Sequence, residues 1–201
     1  MEELEEVLKK IPNNKASGLD NIPGEVWKTG DYNKELLNFC NGVYNQQPIE
    51  RWTKGCLLPF PKKGNLGLTT NYRGINLTAH AAKIYNLLLL NRIRPKMEKV
   101  LRKNQNGFRL SRSTIGQILT VRGIIEGVKS KNLSACLLFV DFSKAFDSIH
   151  RGKLFEILLA YCLPQETVNA ISMLYQDFKA MVPSSDGDTD FFQVISGVHL
   201  S

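Results

Sequence analysis

The sequence LLFVDFSKAFDSI, residues 137–149, carries the pattern on which the fold of this chain depends. Four apolar residues, Leu137–Val140, run directly into Asp141, and so short an apolar run predicts a strand that is buried on both faces. The strand would end on a carboxylate, at the edge of the sheet where open α/β sheets place their chemistry. The segment therefore predicts one half of a metal site.

Asp141 has two other interpretations, which stay open at this point. An Asp that follows a strand often caps the next helix, and Ser143 and Asp147 can do the same. A calcium loop that starts at Asp141 fits poorly, because its sixth position is Phe146 rather than Gly and its twelfth is Gly152 rather than Glu.

Length and composition predict one substantial globular domain or two small ones. The 201 residues are 43% hydrophobic and 22% charged, which is typical of a folded protein. The formal net charge is +7, and eleven Lys or Arg lie between Lys83 and Lys129 against only Glu98 and Glu126. This basic excess favours a polyanionic partner, and a solvated basic surface is the simpler alternative.

Cysteine spacing argues against a zinc site and against a disulfide framework. The four cysteines are widely separated and form no CxxC pair, which predicts reduced and mostly buried thiols: Cys40, Cys56, Cys136 and Cys162. No signal-peptide pattern and no apolar run long enough to span a membrane are present. We therefore expect an intracellular protein, cytoplasmic and/or nuclear, without a membrane partner.

Apolar periodicity predicts a mixture of helices and extended segments. Helical spacing is found over residues 2–11, 35–44, 78–100, a segment after Ser113 or Thr114, 146–161 and 164–179. Residues 55–61 and 71–77 predict the two arms of a β-ribbon, and Pro59 and Pro61 predict that the first arm is an edge strand. Asp186-Gly187-Asp188 predicts the turn of a second hairpin.

Two basic segments are candidate phosphate-binding elements. The ribbon carries Lys62, Lys63 and Arg73, which suit a triphosphate or a nucleic-acid backbone but equally suit a solvated hairpin tip. The loop Lys15–Asp20 is either an ordinary connection or a loop in which Lys15 and backbone N–H groups meet phosphate.

Five segments, in this order, resemble blocks of the reverse transcriptases of non-LTR (LINE-type) retrotransposons. Residues 15–20, KASGLD, resemble a K-x-P-G-x-D block. Residues 61–65, PKKGN, and 71–77, NYRGINL, resemble the fingers blocks, the second of which usually reads N-Y-R-P-I-S-L. Residues 105–114 contain the Q-x-G-F-R…R-S-T block, and residues 139–147, FVDFSKAFD, match polymerase motif A.

The resemblance implies a role for each matching residue. Asp141 would be the catalytic carboxylate that binds Mg²⁺ (or Mn²⁺), joined by the backbone carbonyl of Phe142. The incoming dNTP would be bound by Lys62, Lys63 and Arg73, with Phe146 as the steric gate against ribonucleotides. The RNA template and DNA primer would be contacted by Lys15, Gln105, Phe108, Arg109 and Arg112.

The implied fold is α+β, a right-hand polymerase with fingers over residues 1–135 and a partial palm over residues 136–201. The family continues after Gly-Val with Q-G-x-P-L-S and then an A-D-D strand with further metal-binding carboxylates, whereas here Gly197-Val198 is followed by His199-Leu200-Ser201. We therefore expect a chain that lacks the A-D-D strand and the thumb, through truncation or internal deletion.

The expected function is that of a fragment of an RNA-directed DNA polymerase. One Asp cannot hold two Mg²⁺ ions, so we expect the metals only with the missing carboxylates, and we expect this chain alone to be inactive. Two alternatives stay open: a non-catalytic module that binds RNA, and a functionless relic of a mobile element.

Overall fold

The computed structural model describes residues 1–47 and 52–198. The chain divides into two compact units, which we call the core unit, Met1–Lys96 with Lys144–Ser201, and the basic unit, Met97–Ser143. His199-Leu200-Ser201, where the sequence departs from the family pattern, lies outside the described residues. The expected division at residue 135 concerns polymerase subdomains rather than compact units, and it stays a prediction.

The predicted helices are confirmed. They are α1 (Glu2–Lys10), α2 (Asn33–Tyr44), α3 (His80–Val100), α4 (Thr114–Ser130), α5 (Arg151–Ala160) and α6 (Gln165–Met173). Two boundaries differ from the prediction. Helix α6 ends at Met173 rather than at Lys179, which is instead the first residue of a strand. Helix α5 begins at Arg151 rather than Phe146, because the side chain of His150 caps it by accepting a hydrogen bond from the Lys153 N–H (3.2 Å). Neither Ser143 nor Asp147 is the N-cap of this helix.

The hydrophobic core lies in the core unit, between α1, α2 and α3. Leu4 and Val7 of α1 and Ile84 of α3 are completely buried. The same cluster includes Leu8, Ile11, Leu36, Cys40, Val43, Ala81, Tyr85, Leu88, Leu89 and Ala170. Because each fully buried aliphatic side chain stabilises a fold by about 1.5–3 kcal/mol, the three helices hold this unit together.

One four-stranded sheet has the order β2-β1-β3-β4. Its strands are β1 (Lys54–Pro61), β2 (Tyr72–Leu77), β3 (Lys179–Met181) and β4 (Phe192–Gln193). Strands β1 and β2 are antiparallel, which confirms the β-ribbon, and β3 and β4 are the antiparallel pair predicted around Gly187. Strand β1 runs parallel to β3. Helices and sheet together confirm the α+β class.

The prediction that β1 is an edge strand is wrong, and the register shows why two prolines are tolerated. Only residues 54–56 pair with β3, so Pro59 and Pro61 lie beyond that pairing. On the other side, the Lys62 N–H donates to the Asn71 carbonyl (2.7 Å), and hydrogen-bonded positions alternate along an antiparallel ladder. Both prolines therefore occupy positions where β2 needs no N–H donor.

The predicted buried strand at Leu137–Val140 is also wrong. In the described part of the chain this segment forms no strand, and its four side chains are 46–87% exposed. A strand buried on both faces needs hydrogen-bonded neighbours and an apolar layer over each face. The described strands pair only with one another, so this segment has no hydrogen-bonded neighbour among them.

Candidate functional site

A cavity of about 720 Å³ lies within the core unit, against one face of the sheet. The face is that of Leu57, Pro59, Gly74 and Asn76, which share it because Leu57 pairs with Asn76 and Pro59 pairs with Gly74. Strands β3 and β4 line it further, together with Lys144, Asp147, Val194, Ser196, Gly197 and Val198. Residues from two of the five family-like blocks, NYRGINL and motif A, therefore line the same cavity.

Asn76 is the buried polar group of this cavity. Its side chain lines the cavity and the residue is only 4% exposed, yet neither Oδ1 nor Nδ2 has a hydrogen-bond partner among the described residues. Leaving a carboxamide unpaired in a buried position is costly, so this group is suited to a ligand that both donates and accepts a hydrogen bond.

One wall of the cavity is built by two short segments that hydrogen-bond to each other. The Gly197 N–H donates to the Ile149 carbonyl (2.9 Å), and the Val198 N–H donates to the Phe146 carbonyl (3.0 Å). Gly197 has φ of +80°, and a Cβ there would approach the Asp147 Cα to 2.7 Å. Only glycine fits so close a backbone approach at this φ.

The structure does not bring the predicted dNTP-binding cations to this cavity. Lys62 and Lys63 are exposed at the tip of the ribbon. Arg73 pairs with Phe60, so alternation along β2 places it on the face of the ribbon opposite Gly74 and Asn76. Phe146, the predicted steric gate, is half-buried in the turn that precedes α5.

The predicted metal-binding residues lie in the basic unit, where Asp141 is exposed and Phe142 is 76% exposed. Mg²⁺ prefers about six oxygen ligands at short and regular distances. Within residues 1–47 and 52–198, no group of three or more His, Cys, Asp or Glu is placed to hold a metal ion. The role of Asp141 and Phe142 in a metal site completed by further carboxylates stays a prediction.

The basic unit carries eight Lys or Arg against three Asp or Glu, and none of its residues is buried. Arg109 is its best-held side chain: the guanidinium pairs with Glu98 (Nη2–Oε2 2.5 Å) and donates to the carbonyls of Arg102 (2.9 Å) and Gln105 (3.2 Å). Arg109, which was predicted to contact nucleic acid, thus fixes the conformation of its own loop.

The same loop displays Phe108 to solvent. Phe108 is 93% exposed and has φ of +60°, a conformation that is unusual for a bulky residue. The neighbouring predicted contacts Gln105 and Arg112 are exposed as well. Strained conformations persist where the surrounding structure fixes them, and they are concentrated at functional sites.

The Lys15–Asp20 loop is anchored at the start of α3. A Cβ on Gly18 would lie 2.5 Å from the Ala79 backbone nitrogen, so the loop approaches that backbone as closely as glycine allows. Lys15 is exposed. The loop is an ordinary connection in its packing, and its contact with phosphate stays a prediction.

The sequence predicted mostly buried thiols, but two of the four cysteines are exposed. Cys40 is buried and Cys56 partly so, whereas Cys136 and Cys162 are exposed, and all four are free. Burial raises the pKa of the Cys40 thiol to about 11, and burial also raises that of Cys56. Neither of these two is poised as a nucleophile at neutral pH.

Comparison with known proteins then decides the family. The family model described as "Reverse transcriptase (RNA-dependent DNA polymerase)" matches residues 60–197, which is more than half of the chain. The chain belongs to the reverse transcriptase family. The match contains the tip of the ribbon and β2, the Phe108 loop, motif A and Gly197. Together with the two transposon relatives described next, it confirms the resemblance to reverse transcriptases of non-LTR retrotransposons.

Two curated relatives are similar to this reverse transcriptase chain. One is the "Transposon TX1 uncharacterized 149 kDa protein" of Xenopus laevis, 26% identical over 189 residues, which cover 90% of this chain and 14% of the relative. The other is the "Probable RNA-directed DNA polymerase from transposon BS" of Drosophila melanogaster, 26% identical over 172 residues, covering 82% of this chain and 19% of the relative. The chain thus spans less than a fifth of each relative.

Sequence reasoning missed Asn76, which lines the cavity, and Arg151, which donates hydrogen bonds to carbonyls of its wall. Asn76 is a polar residue between Ile75 and Leu77, and it departs from the family pattern, which was a usable signal. Arg151 gave no signal, because its partners lie 24 to 46 residues away along the chain.

No helix in the described residues has the length and apolar character needed to cross a bilayer.

Proposed function

We propose that this chain is the fingers and partial palm of an RNA-directed DNA polymerase, and that by itself it binds nucleic acid and nucleotide without copying. The observation that carries this proposal is the family match over residues 60–197, within which the described residues assemble no metal-binding group. The chain would therefore need carboxylates from further polypeptide before Asp141 could take part in phosphoryl transfer.

The proposed nucleic-acid surface is the loop around Phe108 with the basic surface of its unit. Aromatic side chains bind single strands by stacking on bases, and cations bind the phosphates in a salt-dependent way. Phe108 offers its ring to solvent, and Arg109 fixes the loop through Glu98 and two backbone carbonyls. Gln105 and Arg112 are the polar contacts that we assign beside this ring. Lys15, in the core unit, keeps its own assignment as a nucleic-acid contact.

The proposed nucleotide site is the 720 Å³ cavity together with the ribbon tip. Its volume suits a ligand of nucleotide size, and the carboxamide of Asn76 can pair with a base or sugar group. Lys62 and Lys63 do not line the cavity, and we assign them to the triphosphate from their exposed positions at the ribbon tip. Arg73, on the other face of the ribbon, is expected to contribute least of the three, and Phe146 keeps its assignment as the steric gate.

Fluorescence anisotropy with a labelled single-stranded RNA tests the nucleic-acid part. Phe108→Ala should weaken binding by roughly 5- to 100-fold, since one lost stacking contact is worth about 1–3 kcal/mol. Leu110→Ala is the matched control, because Leu110 is apolar, lies in the same loop and is 65% exposed. Equal affinities for the two variants would remove Phe108 from the proposed surface.

A second candidate function is a non-catalytic RNA-binding module, and the net positive charge of the basic unit favours it. The two candidates differ in what Asp141 does. In a chain extended with the family's A-D-D segment, polymerase function predicts primer extension that Asp141→Ala abolishes. The module predicts no extension in that chain, and RNA binding that Asp141→Ala leaves unchanged or slightly tighter.

A further inference from the structure

Arg151, the first residue of α5, is bound to four backbone carbonyls. Its Nε donates to the Gly197 carbonyl (2.9 Å), and Nη1 donates to those of Val194 (2.7 Å) and Tyr175 (3.2 Å). Nη2 donates to the Ser196 carbonyl (3.2 Å). The guanidinium carbon also lies 5.0 Å from the centre of the Tyr175 ring. One side chain therefore joins the start of α5 to the residues just after α6 and to the segment after β4.

The hydrogen-bond partners of the charged Arg151 guanidinium are backbone carbonyls rather than a carboxylate. Among the described residues, no carboxylate forms an ion pair with Arg151. Burial lowers the pKa of its guanidinium from the ordinary value. The charge instead satisfies the carbonyl groups of Val194, Ser196 and Gly197, which follow the short strand β4. Of these residues Gly197 is buried and Val194 partly buried, so their carbonyls need donors from the protein. The planar fork of Arg can reach several carbonyls at fixed angles, whereas the ammonium of Lys cannot.

The segment that Arg151 binds is the wall of the cavity. Val194, Ser196 and Gly197 line the cavity, and Arg151 does not. The Gly197 and Val198 N–H groups continue the wall by donating to Ile149 and Phe146. We infer that Arg151 is a positioning residue, which sets the place of residues 194–198, and through them the turn that contains Phe146, without contacting a ligand. Its effect on nucleotide affinity rests on the proposed function, whereas its effect on the wall does not.

Hydrogen exchange read by mass spectrometry tests the wall directly in the full chain. In Arg151→Gln, peptides that contain the Gly197 and Val198 amides should exchange about ten times faster or more, because hydrogen bonds to a charged donor are worth about 1.5–3 kcal/mol. Exchange in α1 and α2 should stay unchanged. Lys153→Gln is the matched control: it removes an exposed cation from the same helix, paired only with Glu156 among the described residues, and should leave the wall unchanged.

Arg151→Lys separates geometry from charge. It keeps the positive charge and should still show fast exchange at Gly197 and Val198, because one ammonium cannot replace the fork. Full protection in Arg151→Lys, or faster exchange spread evenly over α1 and α2 in Arg151→Gln, would overturn the inference, since the residue would then act by charge or by general stability alone.

Binding of dATP by calorimetry completes the test. Arg151→Gln should weaken dATP binding about tenfold while Lys153→Gln binds like the unaltered chain. If the unaltered chain does not bind dATP but the exchange pattern is as expected, the nucleotide site fails and the role of Arg151 in the wall stands. If dATP binds equally to all variants and exchange is unchanged, the inference about Arg151 fails and the nucleotide site stands.

Discussion

The core unit and the basic unit both contain regular helices, but among the described residues buried helix faces are found only in the core unit. In α1, Leu4 and Val7 are completely buried, whereas in α4 Ile115 and Ile118 are 66% and 65% exposed. Both helices have apolar residues at helical spacing. Periodicity indicates which face of a helix is suited to burial, but it does not provide the layer that covers the face. The core unit therefore contains a packed cavity, whereas the basic unit presents cations and an aromatic ring to solvent.

The largest expected effect is on the free energy of unfolding, and it is tested by one substitution in a helix of each unit. Ile84→Ala in α3 should lower the free energy of unfolding by about 2–5 kcal/mol, because Ile84 is completely buried in the core cluster. Ile118→Ala in α4 should change it by less than about 0.5 kcal/mol. Urea denaturation of both variants measures the difference. Similar midpoints for the two would mean that α4 is packed as tightly as α3.

A glycine pair gives the next effect, with opposite signs in the two units. Gly197→Ala should destabilise the core unit by roughly 1–3 kcal/mol, because φ is +80° and the new Cβ would meet the backbone of Asp147. Gly123→Ala, within α4, should stabilise that helix by about 0.5–1 kcal/mol, because the added Cβ would meet nothing within 4 Å apart from the helix's own backbone. Thermal unfolding and the exchange of α4 amides report the two changes. Destabilisation by Gly123→Ala would show that α4 is covered.

The smallest effect concerns the ion pair between α1 and α3. The hydrogen bond from Arg92 lowers the pKa of the Glu3 carboxyl below its ordinary value of 4.5. A carboxyl whose pKa is lowered on folding stabilises the fold above its unfolded pKa, and this contribution is lost as the pH falls through the folded pKa. Both side chains are about half exposed, so the contribution is at most about 1 kcal/mol.

Glu3→Gln should therefore lower stability slightly at pH 7 and by less at pH 3. Glu2→Gln is the control, because it removes a carboxylate from the same first turn of α1. Denaturation midpoints at both pH values measure the difference. A pH-independent loss in Glu3→Gln would assign the effect to packing rather than to the Arg92 pair.

The sequence was sufficient for local structure and insufficient for long-range structure. The apolar spacing of Leu4, Val7, Leu8 and Ile11 predicted α1 and its buried face correctly, because helical periodicity is a local property. The strand at Leu137–Val140 was wrong, because a strand depends on neighbours that are distant in sequence. The central position of β1 was missed for the same reason, since its partner β3 follows more than 100 residues later.

The candidate site shows the same division. The family-like blocks identified residues 61–77 and motif A, and two of these segments do meet at the cavity. The assignment of Arg73 followed from the block, but the alternation of β2 places its side chain on the other face. Asn76 stands out because its carboxamide is buried without a hydrogen-bond partner among the described residues. Arg151 stands out because it donates to carbonyls that are distant in sequence. No sequence motif records either property.

The central claim is that this reverse transcriptase chain holds nucleic acid but cannot copy it alone. Primer extension tests it most directly, with purified chain, a DNA primer on an RNA template, dNTPs and Mg²⁺, beside the Asp141→Ala variant. The account predicts no extension by either protein, with salt-sensitive RNA binding in both. Extension by the unaltered chain that is lost in Asp141→Ala would contradict it, because the chain would then assemble a complete metal site around Asp141.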